Sequence, residues 1–368
     1  PGHCARYELF RSDPADWYTG HNYHETEVFG ANLNATTQWK LGRTSMGVEF
    51  RNEGVRSNVL GKPMKEPQDV PFEKEGQYLK SDNRSNISYF LEHNVLLRRF
   101  TLSVGVLANY NSALNEGIHF YPGIDASYRI GDNFRLYGSW NRALRMPTFT
   151  DLYYEGKTNK GNPDLKPEES EAFEVGLKFN TYFLLSHIAG FYRKGKNMID
   201  WVKEKPEDIW ESQNLTKVDN LGFETNLSLL PRELGNERFF IRKIELGYAF
   251  IHQDKDSEGY ISNYALDYLK HKFTAQLSHS IWKGFSATWY VRWQDRAGSY
   301  TKYENLKPAY EEPYAPYCLV DMKVNWEYQR LNLYAELNNL LNSTYYDLGN
   351  IPQPGIWFKA GFRYSFKY

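Results

Sequence analysis

The residue types that could carry chemistry are sparse and scattered in this chain. Asp254, Asp256 and Glu258, in the run DKDSEG, alternate as calcium ligands do, but the last acidic ligand of a complete cation loop is missing, so a solvated acidic turn accounts for them. Nine histidines are spread along the sequence. His271 sits at the start of a strand pattern, which suits a polar lumen or rim position. No GxSxG, HExxH or CxxC occurs, so no nucleophile, zinc or redox site is marked, and the expectation is a non-enzyme without cofactor or resident metal. Tyrosine is the abundant functional type, with 29 copies. Several cluster between apolar runs: Tyr153 and Tyr154; Tyr300, Tyr303 and Tyr310; Tyr345 and Tyr346. A phenol pairs a flat apolar body with a polar tip, which suits stacking on a macrocycle or a catechol. Loop self-packing would use the same residues, so both readings stand at this point.

The elements that must carry these loops have a period of two. The terminal run places Ile356, Phe358, Ala360, Phe362, Tyr364, Phe366 and Tyr368 on one face, with Lys359, Gly361, Arg363, Ser365 and Lys367 between them. The pattern recurs in Phe29–Trp39, Leu102–Tyr110, Leu221–Leu229, Phe285–Trp293 and Val320–Trp326. Starting from a short strand at Tyr7–Arg11, about sixteen strands are expected. The stretch from Leu184 to Trp201 has ambiguous parity. Short links (Lys40–Arg43, Leu97–Phe100, Gly131–Asn133, Trp282–Gly284, Gln329–Arg330) alternate with long ones (Asn58–Asn83, Asn141–Pro167, Gln253–Asn263, Gly298–Pro313, Asn342–Pro354). In an antiparallel sheet this places all short turns at one end and all long loops at the other.

That asymmetry is the mark of an outer-membrane barrel, with short periplasmic turns and long extracellular loops. No 18-residue apolar stretch exists. The mean hydropathy of −0.67 fits a barrel, since only alternate residues of each strand meet lipid. Trp39, Trp140, Trp282, Trp293, Trp326 and Tyr328 lie near run ends, as interfacial girdles require. A net charge of −1 removes a broad electrostatic case for nucleic acid. Cys4 and Cys318 fall on opposite faces by parity and are expected as free thiols. No segment reads as a loop folding inward to constrict a pore.

Residues 142–179 read RALRMPTFTDLYYEGKTNKGNPDLKPEESEAFEVGLKF. This resembles the mid-barrel motif of TonB-dependent receptors through Arg142, Pro147, Thr148, Asp151, Leu152 and Tyr153, then Gly161, Asn162, Pro163, Leu165, Lys166, Pro167 and Glu168. LNNLLNSTYYD at 337–347 resembles the family's penultimate-strand ending, and the final aromatic its assembly signal. Turn chemistry at Asn162–Pro163–Asp164 makes the motif architectural rather than ligand-binding. The resemblance implies an all-β, antiparallel transmembrane barrel. Residues 1–368 would be the C-terminal portion of a barrel that has 22 strands in this family, with a plug and TonB contact encoded upstream. It implies capture of a scarce nutrient chelate for TonB-energised import across an outer membrane, with outer-membrane lipid around the wall. Residues 44–61 look most like cobalamin-type receptors, and ferric siderophore comes close behind. Haem is disfavoured because no histidine lies between 146 and 162. The expected ligand contacts are Tyr153, Tyr154, Tyr300, Tyr303, Tyr310 and Tyr346. A passive sixteen-strand porin and an adhesion or colicin-docking barrel are the competing classes.

Overall fold

The computed structural model describes residues 3–6, 21–73, 76–114, 117–205, 207–235, 238–256, 259–262, 268–304, 307–349 and 351–366. Sixteen strands follow one another around a single sheet: β1 (His3–Arg6), β2 (Tyr23–Trp39), β3 (Gly42–Ser57), β4 (Gln77–Leu96), β5 (Phe100–Asn111), β6 (Ile118–Ile130), β7 (Phe134–Arg145) and β8 (Glu168–Asn180). Then come β9 (Leu184–Lys203), β10 (Trp210–Leu229), β11 (Ile241–Asp256), β12 (Leu269–Trp282), β13 (Phe285–Arg296), β14 (Tyr317–Tyr328), β15 (Leu331–Asn338) and β16 (Trp357–Tyr364). Every strand pairs antiparallel with the next. Among the described residues no ladder joins β16 to β1 or β2.

One face of this sheet is apolar and uncovered. Phe29 and Leu33 on β2 are 61% and 72% exposed, and Phe358 and Phe362 on β16 are 62% and 74%. Among the described residues no second layer packs against them, so hydrocarbon is the solvent that makes this face stable. At the loop end the same parity turns polar. On β2, Phe29 gives way to Glu27 and Glu25; on β3, Phe50 gives way to Asn52 and Arg56. Arg56 bridges Glu25 and Glu27 at 3.1 and 2.8 Å. The strands therefore rise out of the membrane still paired. Trp39, Trp282, Trp326 and Tyr328 ring the turn end, with Trp326 stacked on Tyr328 at 5.8 Å. Trp140 and Trp293 stand toward the loop end on the same outer face, beside Phe173 and His271 respectively.

The turns are tight for local reasons. Lys283 and Gly284 both have positive φ (25° and 85°), the mirror-image two-residue hairpin that suits strand twist. A Cβ on Gly284 would lie 2.5 Å or less from the Glu327 carbonyl oxygen of the neighbouring strand, so only glycine fits.

Several expectations need correction. The first strand is His3–Arg6; the expected Tyr7–Arg11 lies outside the described residues. The last strand is Trp357–Tyr364, and just past it the Ser365 N–H still donates to the Arg330 carbonyl at 3.0 Å. The ambiguous stretch is one 20-residue strand, β9, whose parity is broken by Asn197 at φ 53°. Beyond it Met198 packs against Gly195, which strict alternation would place on the other face. The long links are also more ordered than plain loops. Lys62–Asp69 pairs with β4, and Ser299–Glu304 forms a hairpin with Lys307–Pro313. Tyr346–Leu348 pairs with Ile351–Pro352, and Ile261–Ser262 pairs with the end of β9. Cys318 is a free thiol; the side chain of Cys4 is outside the described residues.

Candidate functional site

The motif stretch after β7 builds the first part of the site. Thr148 caps the one-turn helix α1 (Phe149–Tyr153): its hydroxyl accepts from the Asp151 N–H, and the Asp151 carboxylate accepts from the Thr148 N–H. Asn162 closes an Asx turn onto the Asp164 N–H at 2.9 Å, and the Lys166 N–H donates to the Asn214 side chain at 2.8 Å. At the base, Arg145 pairs with Glu168 at 2.5 Å, and Glu168 also accepts from the Ile199 N–H. These residues hold the loop's shape. They do not project from it.

The loop then reaches inward, which the sequence did not suggest. Arg84 on β4 has the parity opposite to the lipid-facing Tyr89 and Leu91, so it points into the lumen. It donates to the Pro147 carbonyl at 2.6 Å, lies 4.8 Å from the Phe149 ring centre, and pairs with Glu53 at 2.7 Å. Tyr153 donates to Asp82, also on β4, at 2.7 Å. Burial, then this bond to Asp82, raises the Tyr153 phenol well above its usual range. β4 lies three strands from β7, or about 14 Å. Residues 146–167 thus form a strap across the inner wall at the mouth.

The second part is an aromatic cluster on the loops after β13 and β15. Tyr300 stacks on Tyr346 at 5.2 Å and meets Tyr314 at 5.1 Å; Tyr317 meets Tyr345 at 4.7 Å. Lys302 stands 5.3 Å from the Tyr346 ring and pairs with Glu312 at 2.9 Å. Tyr300 donates to Glu312 at 3.1 Å; burial first, then this bond, raises its phenol. Tyr317 Oη lies within hydrogen-bond reach of the Gln294 amide and the Asp347 carboxylate. Of the six expected tyrosines, the structure brings Tyr300 and Tyr346 together and buries Tyr300. Tyr153 is bound to the wall, Tyr154 is half-buried as the C-cap of α1, and Tyr310 keeps its ring exposed on the hairpin. The Tyr303 side chain lies outside the described residues. Tyr314 and Tyr317 were missed; the repeated Pro-Tyr of EEPYAPY (311–317) is the signal that could have found them.

The third part is a set of inward polar atoms left unpaired. Asn109 and His119 face each other across β5 and β6, with Tyr121 two residues on; Asn109 Oδ1, His119 Nε2 and Tyr121 Oη are all buried without a hydrogen-bond partner. On β11, Gln253 Oε1 and Lys255 Nζ are likewise buried and unpartnered. Lys255 lies beyond Phe250, the end of the apolar band on its strand. Burial pushes its amine down to about 8, against the pull of Asp200. Asp254, its neighbour in the acidic run, faces Asp219 in register, and Glu258 lies outside the described residues. His271 accepts or donates at Tyr248 Oη (2.8 Å) and packs on Phe250 at 5.0 Å, in the outer aromatic rim rather than the lumen.

Comparison with known proteins agrees with this architecture. A family model described as "TonB dependent receptor-like, beta-barrel" matches residues 5–340. A vitamin B12 transporter of Vibrio vulnificus (strain YJ016) is 26% identical over 225 residues, covering 46% of this chain and 36% of the relative. The ferrienterobactin receptor of Escherichia coli K12 is 22% identical over 291 residues, covering 73% and 38%. Among solved structures, a ferric enterobactin receptor of Pseudomonas aeruginosa superposes with a TM-score of 0.71 at 18% identity, over 94% of this chain and 55% of that one. The chain therefore spans a little over a third of these curated relatives and about half of the solved receptor. These relatives are transporters and receptors. With an uncovered apolar wall, a polar lumen and a match through residues 5–340, this chain belongs to the TonB-dependent receptor β-barrel family, and its strands span an outer membrane.

Proposed function

We propose that this chain is the greater part of the barrel wall of an energised importer for a scarce nutrient chelate. The observation that carries the reading is the open wall: a passive sixteen-strand pore closes on itself, whereas among the described residues no ladder joins β16 to β1 or β2. The inward strap at residues 146–167 does not separate the two classes, since a passive pore is constricted by such a loop. The edges of β1 and β16, unpaired among the described residues, support a wall completed by strands outside residues 1–368, and a plug encoded upstream fills it. TonB acts through that plug. Loop tyrosines make the capture surface, with Tyr310 and Tyr154 as the accessible contacts and Tyr300, Tyr346 and Tyr153 bracing them. Tyr303 belongs to the same hairpin.

Cobalamin is the favoured cargo, supported by the resemblance of residues 44–61 and by the vitamin B12 transporters among the relatives. Ferric siderophore is the second reading, supported by the longer match to a ferrienterobactin receptor. The test is uptake of labelled cobalamin and labelled ferric siderophore by cells carrying the full-length receptor, with and without proton-motive force. Uptake of one that collapses with the force is expected. Uptake of either at an unchanged rate after the force is abolished removes the importer reading.

A further inference from the structure

The outer wall above the oily layer sets like charges against each other. Lys196 on β9 stands in register with Lys217 on β10, and Asp219 on β10 stands in register with Asp254 on β11. Like charges directly opposite each other destabilise a sheet. Parity puts all four on the face of Tyr192, Leu221 and Phe250, so they look outward and not into the lumen. The groups beside them are engaged: Glu169 by Arg142 at 3.3 Å, and Asp219 by Lys217 at 3.2 Å. Lys196 and Asp254 are exposed and make no ion pair or hydrogen bond among the described residues. A cation and an anion without partners thus flank β10, one strand to either side.

Levels in the membrane cut across register rows. Strands of such a wall tilt by about 40°, so a step of two strands shifts the level by about two residues. The upper edge of the apolar band shows the sense of the shift. Register carries Tyr192 through Leu221 to His252 on β11, yet the last apolar side chain there is Phe250, nearer the turns. By the same step Lys196, which register carries through Lys217 to Asp256, is level with Asp254.

We propose that this face pairs with the same face of a second copy of the receptor in the plane of the membrane. Two copies in one membrane share one up and down. The two-fold axis between them therefore runs along the membrane normal, and each residue meets one at its own level. An axis standing in front of β10 brings Lys196 of each copy to Asp254 of the other, with Tyr192 and Phe250 meeting just below. Two convex walls touch only along a narrow column, and one strand to either side of β10 lies within it. Gly190 leaves room for the approach: the nearest atom to a Cβ built there is the Gly222 carbonyl oxygen, 3.9 Å away. Charge names the occupant. An anionic lipid headgroup would satisfy Lys196 and leave Asp254 facing Asp219, whereas a second copy satisfies both. The contact is weak and screened by salt, but confinement to one plane raises the effective concentration of each copy for the other.

The test uses the full-length receptor in phosphatidylethanolamine–phosphatidylglycerol vesicles, with the dimer fraction counted by single-molecule photobleaching. K196D and D254K lie beyond the apolar band, and an unchanged denaturant midpoint confirms that the wall is intact. Each variant alone brings like charges together at both contacts, so its dimer fraction is expected to fall roughly tenfold. Mixing K196D with D254K in one vesicle restores opposite charges at both contacts, so mixed dimers should return to within about twofold of the wild type. High salt should lower the wild-type fraction. A monomeric wild type overturns the proposal. A dimer that neither variant weakens overturns it by placing the contact elsewhere, and a mixture that does not recover overturns the two-fold pairing. Loss of phosphatidylglycerol enrichment around K196D, with D254K without effect, overturns it by assigning the lysine to a headgroup. None of these readouts involves uptake, so the outcome is independent of the importer reading.

Discussion

Arg84 and Arg330 both face the lumen of the same wall, yet their surroundings differ completely. At the loop end Arg84 has a carboxylate, a carbonyl and a ring, and its side chain is 11% exposed. Around it the strap closes its own turns and caps. At the turn end Arg330 is exposed, no carboxylate meets it among the described residues, and the cavity around it has more cations than anions. Around Arg84 the polar groups satisfy one another; around Arg330 the guanidinium stands open. A wall that folds alone can have the first arrangement. The second is stable only because water fills it or because something else does.

Substitutions sharpen this contrast in a definite order. Arg84→Ala removes the bonds to Pro147 and Glu53 and the contact with the Phe149 ring, with Arg51 left as the one cation on Glu53 among the described residues, and should loosen the strap by about 3 kcal/mol, read as faster proteolysis within residues 146–167. Gly284→Ala forces a side chain into a positive-φ turn against the Glu327 carbonyl and should cost about 2 kcal/mol, read from the denaturant midpoint for barrel unfolding. Tyr300→Phe removes one hydrogen bond to a carboxylate in the loop cluster and should cost about 1 kcal/mol, read as increased exchange of the 299–313 hairpin amides. Its pH dependence has a fixed sign. The Tyr300 phenol is raised in the fold, so its contribution is complete below the ordinary tyrosine value and is lost as pH climbs through the higher folded one. Ultraviolet titration should show late tyrosinate steps whose amplitude falls by one tyrosine in Tyr300→Phe. Arg330→Gln, by contrast, should change barrel stability by less than about 0.5 kcal/mol, since an exposed cation without a partner contributes little. An effect as large as that of Arg84→Ala would erase the distinction between the two ends.

The wall was legible because hydrocarbon imposes a strict alternation. Phe358 and Phe362 announce their face in any register, and the short turns mark where each strand reverses. Asn197 was not legible: one positive φ swaps the faces of the strand beyond it, and Asn is common in many other contexts. The strap was invisible for another reason. Arg84, Asp82 and Glu53 read as ordinary strand polars, and only the fold brings Pro147 and Tyr153 to them across three strands. The loop tyrosines were found as types but not as roles. Sequence spacing could not tell the buried Tyr300 from the exposed Tyr310 ten residues later, since a hairpin decides which ring turns inward. Lys255 reads in DKDSEG as a cation among solvated acids, and only the fold buries its amine.

The switch from Phe29 to Glu27, and from Phe50 to Asn52 and Arg56, has a consequence for how deep the molecule sits. Sinking by one side-chain repeat would pull Glu27 toward the oily layer, and rising would lift Trp39 out of its interface. Each charge dragged inward costs from a fraction of a kcal/mol near the boundary to a few at the midplane. With many strands voting at once, the draught of the vessel is fixed, and the height at which its loops meet the outside world is written into the alternation itself.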